Sequence, residues 1–442
     1  MTVKGTGSED PTVIAGSEDP TVLARRPGVK GPRAVVVGAG FSGLVTAYYL
    51  QRAGYAVEVF ERVEREGGLL GTTLTDHGIA ESAANAILNS PRVEALFKDL
   101  GIPIVPAKRA SRARYIFREG KLRRWPLGFA ATFYVLQFAL RYFFERAAVA
   151  PRSGESLQQW GRRVLGEEAT EFLLLPAFQG IYAGEGKRLS ATLLLGGLFA
   201  RKKGPKPKLR GSISAPGGMG EVVRRLRSLL DARGVVFRFG REAPPFDPAV
   251  LTFYCGSATQ TADALTSASP EIASLLAKIE MLPLVSVTAF FKRDPRTKRG
   301  FGVLFPPTER FRSLGVLYND AIFPGRVTRE KTVQSETWIL GGARRPEITG
   351  MPMDGVLREF LGDRNRVLGI AGPVERPIHY VLHRWARAIP YYTVEHERTL
   401  EELSRALQRP GKLRLMGNYL GGIGLAKILD RAAEEVARAT RV

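Results

Sequence analysis

The sequence predicts an α/β fold in which one open-sheet domain is assembled from separate stretches of chain, beside a mixed α+β domain and a helical insertion. A strand, a glycine turn, a helix and a second strand follow one another from Arg33 to Glu61. A further unit of strand, glycine loop and helix begins at Lys412. Between them lie a helical stretch, about 127–200, and several segments rich in β-branched and aromatic residues. We therefore expect the last unit to return to the first domain.

The glycines of the first unit follow its opening strand at the spacing GxGxxG. Gly38, Gly40 and Gly43 come directly after the apolar strand Ala34–Val37. Gly38 permits a tight turn, Gly40 lets a pyrophosphate approach the backbone, and Gly43 lets the helix pack close to the strand. The free N–H groups of the helix then face the phosphates, and Glu61 can accept hydrogen bonds from a ribose. The spacing predicts a Rossmann-like dinucleotide-binding domain.

The segment after the acidic residue distinguishes between dinucleotides. It reads "ERVEREGGLLGT" and places Arg65 and the pair Gly67-Gly68 soon after Glu61. This segment resembles the extended dinucleotide motif of the FAD-dependent amine oxidase superfamily, so we expect FAD as the cofactor. The cofactor-binding residues expected in this part of the chain are Gly38, Ala39, Gly40, Phe41, Ser42, Gly43, Glu61, Arg62, Arg65, Gly68 and Leu69.

The charge balance predicts an anionic partner. Against 43 Asp and Glu the chain has 65 Lys and Arg, which gives a formal net charge of +22. Nucleic acid, anionic lipid headgroups and a polycarboxylate substrate all fit such an excess. No zinc-finger, helix-turn-helix or RNA-binding signature accompanies the charge, so no nucleic-acid partner is expected. With one cysteine, Cys255, and four histidines, neither an intramolecular disulfide nor a metal site is expected.

The first 32 residues predict a disordered polar tail. They contain a tandem repeat, "GSEDPTVIA" followed by "GSEDPTVLA", and no charged-then-apolar signal peptide. The repeat is either a plain leader or a docking or phosphorylation segment centred on Thr12 and Thr21. The remaining boundaries expected from the sequence are 33–95, 206–260 and 399–442 for the FAD-binding domain, 96–205 for a helical substrate- and membrane-binding insertion, and 261–398 for the strands of the substrate domain.

Several further stretches resemble one family, the FAD-dependent protoporphyrinogen and coproporphyrinogen oxidases of haem synthesis. They read "GIYAGEGKRLS", "FGVLFP", "GVLYNDAIFPGR", "GGARRP", "HRWARAIPYY" and "MGNYLGGIGLAKIL". The resemblance implies that a porphyrinogen, with protoporphyrinogen IX preferred, loses hydride to FAD and that oxygen reoxidises the flavin to give hydrogen peroxide. No catalytic acid, base or nucleophile is expected, because the cofactor carries the chemistry. Two alternatives stay open: a divergent flavin oxidase or desaturase of another amine or lipid, and a non-catalytic porphyrin-binding paralogue.

The same resemblance implies roles for individual residues. Arg114 would pair with a substrate propionate, unless it is an ordinary surface arginine. The backbone carbonyl of Gly180 would face the pyrrole N–H groups, and Leu304 and Phe323 would sandwich the macrocycle, unless these apolar residues belong to the core. The positions expected around the flavin are Trp385, Ile423, Gly424 and Leu425.

Two segments depart from the family pattern. Ala83-Ala84-Asn85 stands where the family usually has "GPN", so that Asn85 is kept in a loop expected to touch the flavin. The segment 240–256 is shorter than its counterpart and lacks a strand pair. Ala243, within it, falls near the position whose backbone is expected to meet the adenine.

The apolar run "WPLGFAATFYVLQFALRYFF", Trp125–Phe144, predicts an amphipathic helix at a membrane surface. Its uncharged part is too short for the roughly 20 residues of a spanning helix. The alternative is a face buried against neighbouring helices. We expect the basic residues Lys121, Arg123, Arg124, Arg141 and Arg146 to lie at anionic headgroups, and the protein to be cytoplasmic and peripheral on the inner face of the membrane. Oligomeric state is left open, a homodimer included. The face expected to meet lipid consists of Phe129, Phe133, Leu136, Leu140 and Phe143.

Overall fold

The computed structural model describes residues 31–200, 205–408 and 411–441. The repeat with Thr12 and Thr21, and all but the last two residues of the predicted tail, lie outside the described residues. The strands, in chain order, are β1 Arg33–Val37, β2 Ala56–Glu61, β3 Thr72–Thr75, β4 Gly78–Glu81, β5 Ile87–Leu88, β6 Val105–Pro106, β7 Arg114–Arg118, β8 Lys121–Arg123, β9 Ser212–Ser214, β10 Val236–Phe239, β11 Leu251–Tyr254, β12 Met281–Lys292, β13 Gly302–Leu304, β14 Ser313–Tyr318, β15 Val333–Gly341, β16 His379–Pro390 and β17 Leu413–Leu415.

The helices connect and cover these strands. The α-helices are α1 Phe41–Arg52, α2 Pro91–Asp99, α3 Phe129–Phe144, α4 Arg146–Val149, α5 Leu157–Leu165, α6 Glu167–Ala169, α7 Leu175–Tyr182, α8 Ala191–Phe199, α9 Met219–Ala232, α10 Ala258–Leu265, α11 Pro270–Ala277, α12 Asn319–Ile322, α13 Met353–Leu368, α14 Val394–Ala406 and α15 Leu425–Ala439. No helix of the described ranges combines the length and the apolar character that crossing a bilayer requires.

A five-stranded parallel sheet collects strands from three distant parts of the chain. Its order is β10-β2-β1-β11-β17. The segments 33–95, 206–260 and 399–442 therefore each contribute to it. Helices α1, α9 and α15 pack in one core with this sheet, in which Val36, Leu44 and Leu429 are fully buried. The apolar run of β1 agrees with its central position, because a parallel strand covered on both faces is buried throughout.

A seven-stranded sheet forms the second large unit, in the order β16-β12-β15-β14-β13-β7-β8. Its neighbouring strands are antiparallel except for β13 and β7. The hairpin β7–β8 turns at Glu119 and Gly120 and forms one edge of the sheet. The stretch 96–205 is thus not purely helical, since its alternating apolar residues pair with the later strands.

The two faces of the seven-stranded sheet have different roles. Val285, Val287, Trp338 and Leu340 point to a core that α13 covers. Because side chains alternate along a strand, the residues between them point to the opposite face. That opposite face carries the candidate substrate site.

The helical part of the chain packs around Trp160 and Tyr182. Helix α3 joins it through a stripe that the sequence analysis did not select, Ala131, Val135, Phe138 and Tyr142. The predicted lipid-facing residues are not buried against neighbouring helices, so that alternative is wrong for this face. Their exposed fractions are 99% for Phe129, 65% for Phe133, 59% for Leu136, 60% for Leu140 and 78% for Phe143.

Candidate active site

The first glycine turn packs directly against its helix. Gly38 donates its N–H to the Phe60 carbonyl at 2.7 Å, and a Cβ on Gly43 would lie 1.8 Å from the Gly38 oxygen. No side chain at position 43 fits such a contact. Helix α1 begins after Gly40 with no side-chain cap, so the N–H groups of its first turn, among them those of Phe41 and Ser42, are open to a ligand. This arrangement favours an anion at the start of α1.

Glu61 organises the same turn. Its Oε2 accepts a hydrogen bond from the Ala39 N–H at 2.8 Å, and its Oε1 accepts one from the Val63 N–H at 3.1 Å. Because a carboxylate has about four acceptor positions, Glu61 retains capacity for a ribose hydroxyl. Arg62 follows at the surface, as its exposure shows.

The second glycine loop lies against the first. Gly67 donates its N–H to the Ala39 carbonyl at 2.8 Å, and a Cβ on Gly68 would lie 3.1 Å from Gly40 Cα. Arg65 fixes the loop by donating from Nη2 to the Gly68 carbonyl at 3.1 Å. The Leu69 carbonyl accepts a hydrogen bond from Ser82 Oγ at 2.6 Å. The structure therefore brings both predicted glycine segments to one place.

A second uncapped helix start belongs to the same domain. Helix α15 begins after Gly424 without a side-chain cap, and Leu425 packs in the core that also contains α1. Tyr392 supports the preceding loop by accepting the Gly422 N–H at 2.8 Å. The Ile423–Leu425 turn thus offers free main-chain N–H groups, which suits flavin ring oxygens.

Trp385 and His383 connect the seven-stranded sheet with the cofactor loops. Trp385 Nε1 donates to the Ser82 carbonyl at 3.1 Å. The indole of Trp385 stacks on the imidazole of His383, with ring centroids 6.4 Å apart. His383 Nε2 is buried and has no hydrogen-bond partner among the described residues. Burial, together with the positive charge of Arg65, lowers the pKa of His383. A neutral imidazole with an unpaired nitrogen therefore faces this region.

The two departures from the family pattern have defined positions. The Asn85 carbonyl accepts a hydrogen bond from Arg326 Nη2 at 3.1 Å, and Ala84 packs against the core of the five-stranded sheet. Ala243 lies in the loop between β10 and β11, where no strand is formed. The Arg241 N–H of that loop bonds the Glu61 carbonyl at 3.1 Å. Both segments thus adjoin the cofactor loops.

These residues fit FAD. The open start of α1, the acceptor Glu61 and the close approach of two glycine loops suit an adenine dinucleotide, and the α15 start suits an isoalloxazine ring. When bound, the flavin supplies hydride acceptance and reaction with oxygen. Among the described residues, no group of three or more His, Cys, Asp or Glu side chains is placed to hold a metal ion.

The open face of the seven-stranded sheet continues from the flavin side. Its cross-strand pairs link His383 to Ser286, Ser286 to Ile339, Ile339 to Gly315, and Gly315 to Leu304. At about 4.8 Å between neighbouring strands, this row is roughly 19 Å long. A flat ligand on this face would therefore have one edge beside His383 and Trp385 and its body over apolar residues.

Gly180 lies over this row. A Cβ on Gly180 would be 2.6 Å from Leu304 Cδ2 and 4.0 Å from the Leu314 carbonyl oxygen. The structure thus brings Gly180 and Leu304 together. Half-buried Ile339 and Leu317 share the open face and were missed by the sequence analysis, because their orientation depends on strand register.

Of the other two residues expected at the substrate, Arg114 is exposed and Phe323 is buried. Arg114 pairs with Gly302 across β7 and β13, is exposed, and has its guanidinium 4.9 Å from the Phe301 ring centre. Within the described ranges it forms no ion pair, so it is free for a carboxylate. Phe323 is 1% exposed and packs against Arg326. Its ring is enclosed in this structure, which agrees with the alternative of a core residue, and its role as a wall of the macrocycle stays a prediction.

Comparison with known proteins agrees with this geometry. The family model of flavin containing amine oxidoreductases matches residues 41–425. Protoporphyrinogen oxidase 2 of Arabidopsis thaliana is 26% identical to this chain, over 90% of this chain and 92% of its own. Protoporphyrinogen oxidase of Bos taurus is 25% identical, over 92% and 98% respectively.

Solved structures show the same fold. A protein of Exiguobacterium sp. 255-15, provisionally assigned as a protoporphyrinogen oxidase, superposes with a TM-score of 0.75 at 18% identity, over 93% of this chain and 99% of its own. Putrescine oxidase bound to putrescine gives 0.68 at 14% identity, over 92% and 98%. From the family match and the fitted cofactor site together, the chain is an FAD-dependent oxidoreductase and belongs to the flavin-containing amine oxidoreductase family.

Proposed function

We propose that the protein oxidises a porphyrinogen to the porphyrin in haem biosynthesis, with protoporphyrinogen IX as the substrate that its relatives name. One observation carries the proposal: a row of residues from His383 to Leu304 continues from the flavin-binding side onto an apolar face under Gly180. Such a face suits a large, mostly apolar macrocycle, and exposed Arg114 beside it suits a carboxylate.

The protein's contribution in this proposal is positioning. The sheet face and Gly180 hold the macrocycle so that one bridge carbon lies towards the flavin, and Arg114 fixes the rotation of the ring through a propionate. When bound, FAD would supply hydride acceptance and reaction with oxygen. Conversion of a porphyrinogen to the porphyrin would take three rounds, each removing one hydride from a bridge carbon and one proton from a pyrrole N–H, with one O2 reduced to hydrogen peroxide per round.

A fluorescence assay tests the proposal. FAD-loaded protein is mixed in air with protoporphyrinogen IX or coproporphyrinogen III, and spontaneous oxidation is subtracted. We expect a porphyrin signal that requires the protein, is accompanied by peroxide, and falls by tenfold or more in Arg114→Ala. Arg112→Ala, an exposed arginine two positions earlier, is the matched control and should keep full activity. Protein that holds FAD but oxidises neither porphyrinogen would instead support a flavin oxidase of another substrate or a non-catalytic paralogue.

We further propose that helix α3 places the protein on the inner face of a cytoplasmic membrane. Its apolar patch, formed by the five exposed residues Phe129, Phe133, Leu136, Leu140 and Phe143, lies beside exposed Lys121, Arg123 and Arg124. An apolar stripe with flanking cations suits the headgroup level of an anionic bilayer. Access from the membrane would also serve a poorly soluble substrate.

Sedimentation with vesicles tests the attachment. We expect binding to vesicles of phosphatidylcholine and phosphatidylserine, and its loss in the double variant Phe133→Glu, Leu140→Glu. The double variant Leu74→Glu, Met353→Glu makes the same charge change at exposed apolar residues outside the patch and should still bind. Unchanged binding in the α3 variant, or a patch that only forms dimers in solution, would reject the proposal.

A further inference from the structure

A cavity lined by arginines lies at one end of the candidate substrate face. It measures about 320 Å³ and is enclosed by α7, the β13–β14 connection and the turn after β15. This volume falls at the lower end of the range of about 300–1,000 Å³ for small-molecule pockets. Four arginines and no acidic residue line it: Arg310, Arg312, Arg344 and Arg345.

Three of these arginines are free to bind an anion. Arg345 donates to the carboxylates of Glu347 and Glu359, at 2.5 and 2.9 Å. Arg310, Arg312 and Arg344 form no ion pair within the described ranges. Desolvation lowers the pKa of Arg344, although its side chain is partly exposed, and the charges of Glu185, Glu171 and Tyr391 oppose that shift only in part. Like charges without a carboxylate to balance them indicate a site for an anionic group.

The cavity is lined by chain neighbours of residues on the candidate substrate face, although the Phe305 ring itself packs in the core on the other face of the sheet. Gln179, Phe305 and Leu314 line the cavity, and each adjoins a residue of that face, namely Gly180, Leu304 and Gly315. The Arg312 and Ser313 N–H groups both bond Asp363 Oδ2, at 2.9 and 2.7 Å. These bonds hold the arginine loop at the end of the sheet.

Arg114, in β7, lies beside the other end of β13. It pairs with Gly302, the first residue of β13, whereas Phe305, directly after β13, lines the cavity. Three residues of extended chain separate these points by roughly 10 Å. A macrocycle over Leu304 would thus have Arg114 at one edge and the arginine cavity at the opposite edge.

We propose that the cavity lined by Arg310, Arg312 and Arg344 binds a propionate carboxylate at the substrate edge opposite Arg114. This inference rests on the proposed porphyrinogen site. Protoporphyrinogen IX has two propionates on adjacent rings and therefore carries charge at one edge only. Coproporphyrinogen III has one propionate on each of its four rings and would engage both Arg114 and the cavity. Within the proposed porphyrinogen class, this arrangement therefore favours a tetracarboxylate over protoporphyrinogen IX, the dicarboxylate that the names of the relatives indicate.

The test compares the binding of two stable porphyrins. FAD-loaded protein is titrated with coproporphyrin III and with protoporphyrin IX, and dissociation constants are measured by fluorescence. We expect wild type to bind coproporphyrin III more tightly. The double variant Arg312→Gln, Arg344→Gln should weaken coproporphyrin III by about tenfold or more and protoporphyrin IX by less than threefold. The single variant Arg344→Gln changes an exposed side chain and should give a smaller loss in the same direction.

A control variant tests whether the weaker binding comes from this cavity or only from the lower net positive charge of the protein. Arg329→Gln with Arg398→Gln removes two exposed arginines on other elements and should change neither dissociation constant. An unchanged ratio of the two constants in the cavity variants would overturn the inference while leaving porphyrinogen oxidation intact. Selective binding by wild type without turnover of either porphyrinogen would instead reject the proposed function and retain the carboxylate site.

Discussion

Trp385 donates a hydrogen bond from its indole Nε1 to the Ser82 carbonyl at 3.1 Å, and so joins the edge strand of the seven-stranded sheet to the loop after β4. Ser82 in turn bonds the Leu69 carbonyl next to the second glycine loop. One indole therefore connects the substrate-side sheet with the cofactor loops. We expect the relative position of the sheet and the cofactor loops to depend on this connection.

Replacing Trp385 by Phe should loosen that connection. The ring is kept in part while the hydrogen bond is lost, and a net loss of about 0.5–1.5 kcal/mol corresponds to roughly 2–10-fold weaker FAD binding. Titration of the apoprotein with FAD measures the change. Trp125→Phe is the matched control, because Trp125 is half exposed on another element and also loses an indole hydrogen bond, to Thr132 at 2.8 Å. Equal effects of both variants would contradict the assignment.

Gly180→Ala should obstruct the substrate face without harming the fold. The added methyl group would lie 2.6 Å from Leu304 Cδ2, so Leu304 has to shift towards the space expected for the macrocycle. Alanine is favoured over glycine in α7, so stability should be retained. We expect porphyrin binding to weaken by about tenfold, in line with overpacking costs of roughly 1–3 kcal/mol, at unchanged FAD content. Gly197→Ala in α8, where the new methyl group meets nothing within 4 Å, should leave binding unchanged.

Arg326→Met should destabilise the whole chain. Arg326 Nη1 bonds Glu81 Oε1 at 2.8 Å, and its Nη2 bonds Ser214 Oγ at 2.6 Å, all in a buried setting. Removing the cation leaves Glu81 buried without its partner, which costs roughly 3–5 kcal/mol. Urea unfolding measures the loss.

Two comparisons control that experiment. Arg329→Met, at an exposed arginine, should change the unfolding free energy little. Adding Glu81→Gln to Arg326→Met should recover part of the loss, because the unpaired charge is removed. A double variant no more stable than the single one would show that the other bonds of Arg326 matter more than the ion pair.

His383 should make stability depend on pH. Its pKa in the folded protein lies below the ordinary value of about 6.5, chiefly because of burial. Below pH 6.5 the unfolded chain therefore takes up a proton that the folded protein binds less well, so the unfolding free energy falls as the pH falls. Wild type should lose more stability than His383→Gln between pH 7.5 and 5.5. The two proteins should change alike between pH 7.5 and 9.0, where this imidazole is neutral in both states.

The glycine turn was predictable because it is local. Gly43 must contact Gly38 whenever a strand is followed by a tight turn and a helix, and the spacing alone encodes that contact. The cross-strand pairing of His383 with Ser286 was not predictable. It depends on the register of strands about 95 residues apart in the chain, which no local pattern specifies.

Burial explains the other differences between the sequence-based expectations and the structure. Phe323 looks like any apolar residue of a pocket in the sequence, but it is enclosed beside Arg326. Helix α3 is apolar on more than one side, so its periodicity fits two stripes equally. The stripe through Phe138 contacts Trp160, and the neighbouring stripe through Phe133 stays exposed. Only the tertiary contacts decide between such stripes.

The order of strands in the five-stranded sheet has a consequence for synthesis on the ribosome. The outer strand β17 and the start of α15 come from the last part of the chain, whereas β1 and β2 emerge first. The dinucleotide half of the cofactor site can thus form early, but its flavin end stays incomplete until Leu425 has left the exit tunnel. Cofactor capture is therefore expected to be a post-translational event, and a nascent chain halted before Leu413 would present β11 as an unpaired edge.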